Sequence, residues 1–168
     1  MKILVFSDSH KSLSFMRSCM GAVKPDAVIH LGDHYDDGMA IAEEYPHIRF
    51  YQVPGNCDGL RILSQEPEVM NCDVYGVRIF MTHGHKQSVK SGIHRLLLEA
   101  RKGNAKAVLF GHTHEAVCYV EEDGLLVMNP GSCGEKNKSA GLLEIEDKKI
   151  SSYRILRQED IDTMSAEK

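Results

Sequence analysis

The stretch Val28-Ile29-His30-Leu31-Gly32-Asp33-His34-Tyr35-Asp36-Asp37 decides the fold. Val28 to Leu31 run apolar or amphipathic without helical spacing and read as a buried strand. Gly32 permits a sharp turn, and Asp33 then stands at the strand's carboxyl end, where open α/β sheets bind ligands. On its own Asp33 reads better as the cap of a following helix. It is one of several such groups, and that changes its reading.

Upstream, Ile3 to Phe6 is a compact apolar run followed by Ser7-Asp8-Ser9-His10. Leu13, Met16, Met20 and Val23 then recur at helical spacing until Lys24-Pro25-Asp26. Downstream, Met39 to Ala42 predict a short helix ending before Pro46, and Ile48 to Val53 a third strand stopped by Pro54-Gly55. Asn56-Cys57-Asp58-Gly59 follows as a loop. Val69 to Tyr75 and Val77 to Met81 predict a hairpin about Gly76, with Thr82-His83-Gly84-His85 at its end. Val89, Ile93, Leu96, Leu97 and Ala100 predict one helix closed by Gly103-Asn104. Ala107 to Phe110 is a strand stopping at Gly111-His112-Thr113-His114. Two hairpins finish the pattern: Val117–Val120 with Leu125–Met128, and Gly141–Ile145 with Ile150–Ile155. Thus βα units come first and β hairpins later, which predicts an α/β fold in one domain over residues 1–168. The polar tail from about 157 is expected to fray.

Bulk properties narrow the function. The 168 residues are 42% hydrophobic and 26% charged with no Trp, which excludes collagen-like, disordered and membrane classes. A net charge of −4 and a pI near 6.1 argue against stable nucleic-acid binding. No apolar run approaches the roughly 20 residues of a membrane helix, and the amino terminus lacks a leader's long apolar region. A cytoplasmic protein is expected. Cys19, Cys57, Cys72, Cys118 and Cys133 are odd in number and lack CxxC spacing, so neither a disulfide framework nor a thiolate zinc site is indicated.

Five strand ends carry groups that ligate metals: Asp8 with His10, Asp33, Asn56, His83, and His112 with His114. On an extended segment, residues two apart share a side, so Asp8/His10 and His112/His114 can each converge. Oxygen and imidazole donors without thiolate suit Mn²⁺, Fe or Zn²⁺. Seven ligands exceed the needs of one ion, whereas two ions sharing a carboxylate would use them all.

The ordered set DSH, GDHYDD, GNCD, THGH and GHTH resembles the calcineurin-like metallophosphoesterase superfamily. GNCD, THGH and the following NPGS (129–132) resemble its small YfcE/YsnB-type phosphodiesterase branch. The resemblance, over residues 1 to about 156, implies a four-layer α/β/β/α sandwich of two mixed sheets flanked by helices. It implies two divalent ions, Mn²⁺ first with Ni²⁺, Zn²⁺ or Fe as alternatives. One would be held by Asp8, His10, Asp33 and His114, the other by Asp33, Asn56, His83 and His112. It further implies in-line attack on a phosphodiester by a hydroxide bridging the metals. Asp33, Asn56 and His85 are the catalytic residues on this reading, with Asn56 and His85 also facing the substrate. A small phosphodiester substrate and a homodimer or tetramer are expected.

Where many superfamily members have a proton-donating His after the motif Asn, this chain has Cys57, a poor donor and a loop filler on this reading. His30 reads as a core residue, and His34, His47 and His94 as surface residues. Asp36 and Asp37 read as solvated loop acids, with hydrogen bonding to ligand histidines as the alternative. The branch also resembles the retromer scaffold subunit Vps29, whose metal site is degraded and which lacks a counterpart of His10; a silent scaffold and a phosphomonoesterase are therefore the rival readings.

Overall fold

Alternation along the first strand sets the layering. In the computed structural model, which describes residues 1–166, Ile3 and Val5 point into a core shared with a second sheet. Leu4 and Phe6, between and beyond them, point instead into a layer of helices. Period-two alternation with both faces apolar is what a strand buried on both sides requires.

In chain order the elements are β1 (Lys2–Phe6), α1 (Leu13–Val23), β2 (Ala27–His30), α2 (Tyr35–Glu44), β3 (Arg49–Gln52) and α3 (Leu60–Gln65). Then come β4 (Val69–Val74), β5 (Val77–Thr82), α4 (His94–Lys102), β6 (Ala107–Leu109), β7 (Val117–Val120) and β8 (Leu126–Asn129). β9 (Ser139–Glu146), β10 (Lys149–Arg157) and α5 (Gln158–Ala166) complete the described chain. One sheet has the order β10-β9-β1-β2-β3 and the other β4-β5-β6-β8-β7. In the first, β1, β2 and β3 are parallel; in the second, β5, β6 and β8 are. The sheets share the core built on Ile3, Val5, Ile29, Ile79, Met81 and Leu109. Residues of α1, α2 and α5 cover the outer face of the first, and α4 that of the second. This is the four-layer α/β/β/α arrangement.

Several boundaries differ from the sequence expectation. The helix predicted at Met39–Ala42 begins at Tyr35, two residues after the motif Asp. Its N-cap is His34, in the left-handed conformation at φ 71°, so Asp33 does not cap it. The single helix expected over 89–100 is broken. Val89–Ser91 form a 3-10 turn, Gly92 sits at φ 137°, a value few other residues tolerate, and α4 starts two residues later. The short helix α3 follows Gly59, where the sequence pattern predicts no element, and none of its residues is buried. His30 is fully buried, while His47 and His94 are exposed.

The tail from about 157 does not fray within the described residues. It forms α5, packed by Ile161 and Met164 into the layer that holds Phe15, Met16 and Met20. Two apolar residues among many polar ones suffice, because the rest of the helix faces solvent. Residues 167 and 168 of that tail lie outside the described residues. Ile161 is 1% exposed, so Ile161→Ala should lower unfolding free energy by about 2–5 kcal/mol in a urea titration. A variant as stable as the parent would mean that α5 contributes nothing to the core.

Candidate metal centre

All seven candidate ligands lie just beyond carboxyl ends of parallel strands: Asp8 and His10 after β1, Asp33 after β2, Asn56 after β3, His83 after β5, and His112 and His114 after β6. The backbone there is unusual. Asp8, His10, Asp33, His112 and His114 all have positive φ, between 44° and 69°. Asp and His tolerate this region better than most residues. The pairs separated by one residue are therefore not extended, which corrects the expectation that each pair points one way. His112 and His114 turn apart instead, toward different groups of ligands. Glycines allow the loops to close: a Cβ on Gly111 would lie 1.9 Å from Ser7 Oγ, and one on Gly55 would lie 2.2 Å from Asp33 Oδ1.

Asp8, His10, Asp33 and His114 form the first group, each offering a ligand atom within 4.8 Å of the others. Asp8 is fully buried. Its Oδ2 accepts from Ser7 Oγ at 2.5 Å and from the His112 N–H at 3.1 Å. Its Oδ1 is buried and has no hydrogen-bond donor, with His114 Nε2 3.1 Å away. The His114 Nδ1–H donates to Glu135 at 2.5 Å, which leaves Nε2 as a lone pair facing Asp8 and, at 3.4 Å, His10 Nε2.

The second group surrounds His83. Its Nδ1–H donates to the Leu31 carbonyl at 2.8 Å, so in the neutral ring the lone pair lies on Nε2. Around that nitrogen stand Asn56 Oδ1 at 3.2 Å, His112 Nδ1 at 3.2 Å and Asp33 Oδ1 at 3.4 Å. Burial, His83 and Lys90 push the His112 imidazole down to about 4, so it is neutral near pH 7, the form that ligates metals. Burial works against ionisation of Asp33, but His83 and the Cys57 N–H outweigh it and hold the pKa below the ordinary value. Both groups thus aim carboxylate, amide and imidazole ligand atoms at one another. The buried Asp8 Oδ1, which has no hydrogen-bond donor, and the oxygen and imidazole donors around it fit a divalent cation. Asp33 belongs to both groups.

Other residues complete the rim. His85 sits with its ring 5.5 Å from that of His83 and its Nδ1 unpartnered, and Glu68 lies 3.8 Å from its Nε2. His34, expected at the surface, packs edge-on against His10 at a centroid distance of 5.1 Å. Cys57 is exposed, and partial burial together with the Asp33 carboxylate pushes its thiol up to about 11. Asp37 bonds to none of the four ligand histidines; it accepts from Ser9 Oγ at 2.7 Å and from the Lys11 N–H at 2.8 Å, anchoring the left-handed turn at His10. Sequence reasoning missed Glu135 as a partner of His114. It also missed Asp58, which accepts from the N–H groups of Gly55 and Tyr35 and joins two of the loops. The acid within GNCD was the available signal for Asp58; Glu135 had none.

Known proteins resemble this chain over most of its length. Residues 1–148 match the family described as the calcineurin-like phosphoesterase superfamily domain. The chain is 29% identical to the phosphodiesterase MJ0936 of Methanocaldococcus jannaschii, the alignment covering 92% of this chain and 97% of that one. A predicted phosphoesterase from Streptococcus pneumoniae superposes with a TM-score of 0.70 at 23% identity, covering 94% and 97% of the two chains. Wild-type Vps29 of Entamoeba histolytica, solved as a zinc complex, superposes with a TM-score of 0.69 at 20% identity, covering 94% and 98%. At those identities the two structures speak for the fold alone.

Two outcomes follow. Glu135 is 54% exposed, so Glu135→Gln should weaken metal binding measured by calorimetry about tenfold, the low end for a residue that orients a ligand. Unchanged affinity would show that the carboxylate does not set the His114 ring. Burial pushes His30, which is fully buried, from 6.5 down to about 4, against the pull of Asp58, Asp8 and Asp37. As pH falls below 6.5 the unfolded chain takes up this proton before the folded one does. Stability should therefore drop between pH 6.5 and about 4. The slope of thermal midpoint against pH in the metal-free protein should be shallower in His30→Asn.

Proposed function

Since this chain belongs to the calcineurin-like phosphoesterase superfamily, we propose that it is a phosphodiesterase using two divalent ions, with Mn²⁺ as the native metal. The observation that carries this reading is the convergence of two groups of oxygen and imidazole ligand atoms on one carboxylate, Asp33. Metals bound there would neutralise phosphoryl charge and make water a nucleophile near neutral pH.

The chain's own residues prepare the site for that chemistry. The Leu31 carbonyl fixes the tautomer of His83, and the Cys57 N–H, 2.9 Å from Asp33 Oδ1, keeps the shared carboxylate ionised. Asn56, exposed at the rim, can turn its amide N–H toward a phosphoryl oxygen while Oδ1 faces the His83 group. His85 borders the same opening. No strong acid stands where a leaving alkoxide would need a proton, since the Cys57 thiol lies near 11. Diesters whose leaving group needs no proton should therefore react fastest. We take the protein to be cytoplasmic and homo-oligomeric; its five free cysteines suit a reducing compartment.

The test is metal-free protein reconstituted with Mn²⁺, Ni²⁺, Zn²⁺ or Mg²⁺ and assayed on aryl and alkyl diesters and on monoesters. Aryl diesters should turn over fastest, and Cys57→His should raise turnover on alkyl diesters by about tenfold or more. Equal rates on aryl and alkyl diesters would refute the missing-acid argument. Preference for monoesters would make the enzyme a phosphomonoesterase, and no hydrolysis with any of the four metals would favour the scaffold reading.

A further inference from the structure

The loop that carries Glu135 leads directly from the metal centre into a second feature. Ser132 Oγ and the Gly134 N–H both donate to the Asp8 carbonyl, at 2.8 and 3.3 Å. Glu135 binds His114. The next residues, Lys136, Asn137 and Lys138, line a cavity of about 180 Å³ together with Arg157, Gln158 and Glu159. Lys136 follows Gly134 by two residues, so their Cα atoms are at most about 7.6 Å apart. Arg157 pairs with Ser139 of β9, and Gly141 of β9 pairs with Val5 of β1, so the cavity lies at the end of the first sheet from which Asp8 extends.

Its charge is unbalanced. Ion pairs among the described residues use Arg17, Lys86, Arg95 and Arg101, and none uses Lys136, Lys138 or Arg157. Lys138 is half-buried without a carboxylate partner. Glu159 is the one acid in the lining, and the neighbouring Asp160 carboxylate is engaged with the Arg157 N–H at 2.7 Å. The lining itself holds three cations against one acid, with the Asp160 and Asp162 carboxylates outside it bonded to the Arg157 N–H and the Gln158 amide, and this local excess favours an anion in the cavity.

We propose that this cavity takes a second phosphate of the substrate, one nucleotide removed from the scissile diester. The substrate class is then short nucleotide diesters carrying a further phosphate. This rests on the diesterase reading above. The phosphate could be a terminal monoester or an internal diester, and thymidine probes separate the two.

Hydrolysis of TpT, pTpT and TpTpT by the Mn²⁺-loaded protein is compared with that of bis(p-nitrophenyl) phosphate. At low salt kcat/KM should favour one or both of pTpT and TpTpT over TpT about five- to tenfold, through KM, given about 1.5- to 5-fold per exposed charge pair. Preference for pTpT alone identifies a terminal phosphate. The triple variant K136Q/K138Q/R157Q should bring the ratio to about one and leave bis(p-nitrophenyl) phosphate turnover intact, which also reports correct folding. Independently of turnover, pTpT titrated into metal-free protein should shift the backbone amide resonances of residues 136–138 and 157–158, and the triple variant should abolish those shifts. Equal rates on all three thymidine probes, with bis(p-nitrophenyl) phosphate hydrolysed, would overturn the cavity assignment and leave the diesterase reading standing. No hydrolysis of any probe would overturn the diesterase reading itself.

Discussion

The structure depends on one buried carboxylate, that of Asp8. Its N–H donates to the Gly32 carbonyl, which ties the ends of β1 and β2 together. Its Oδ2 accepts from the backbone of His112, which reaches across from the other sheet. Its carbonyl receives Ser132 and Gly134, which fasten the loop before β9. Every polar atom of this residue is thereby committed except Oδ1, which is aimed into the centre. Removing a buried charge of this kind would disturb the joint between the sheets as well as the site, because its partners would lose their acceptor.

Strain in the loops is the counterpart of that anchoring. Five of the seven candidate ligands adopt left-handed backbone, at a cost of order 1–3 kcal/mol for a residue held in a sparsely populated region. Such turns persist where surrounding bonds over-determine them. Asp37 beneath the His10 turn and Asp58 between the Asp33 and Gly55 loops are bonds of that kind. The result is a set of donors aimed before any ligand arrives, which is how rigid sites are built.

Much of this was legible in the amino-acid order. The strand positions and the polar group at the end of each followed from apolar runs cut off by glycine and acid, since burial on both faces leaves little freedom in a strand's composition. The unread parts share a physical cause: they depend on where distant segments meet. Nothing local marks Glu135 as the partner of His114, and nothing in His34 announces its contact with His10. The convergence of Asp8 with His10 was foreseen on the wrong geometry, because alternation presumes an extended backbone and the turns are left-handed. α5 was overlooked because a helix with one fully buried residue has almost no periodic signal.

The pairing of β1 has a consequence for how the chain acquires its shape. Residues 3–6 pair on one side with 27–30, and residues 2–5 on the other with 141–144. During synthesis from the amino terminus, the first ladder can form early, but the second waits for almost the whole chain. Until then β1 presents an open apolar edge of the kind that invites mispairing. Contacts so distant in sequence slow the final step of folding. The centre built on Asp8 is therefore completed only at the end, when β9 arrives to close the sheet beside it.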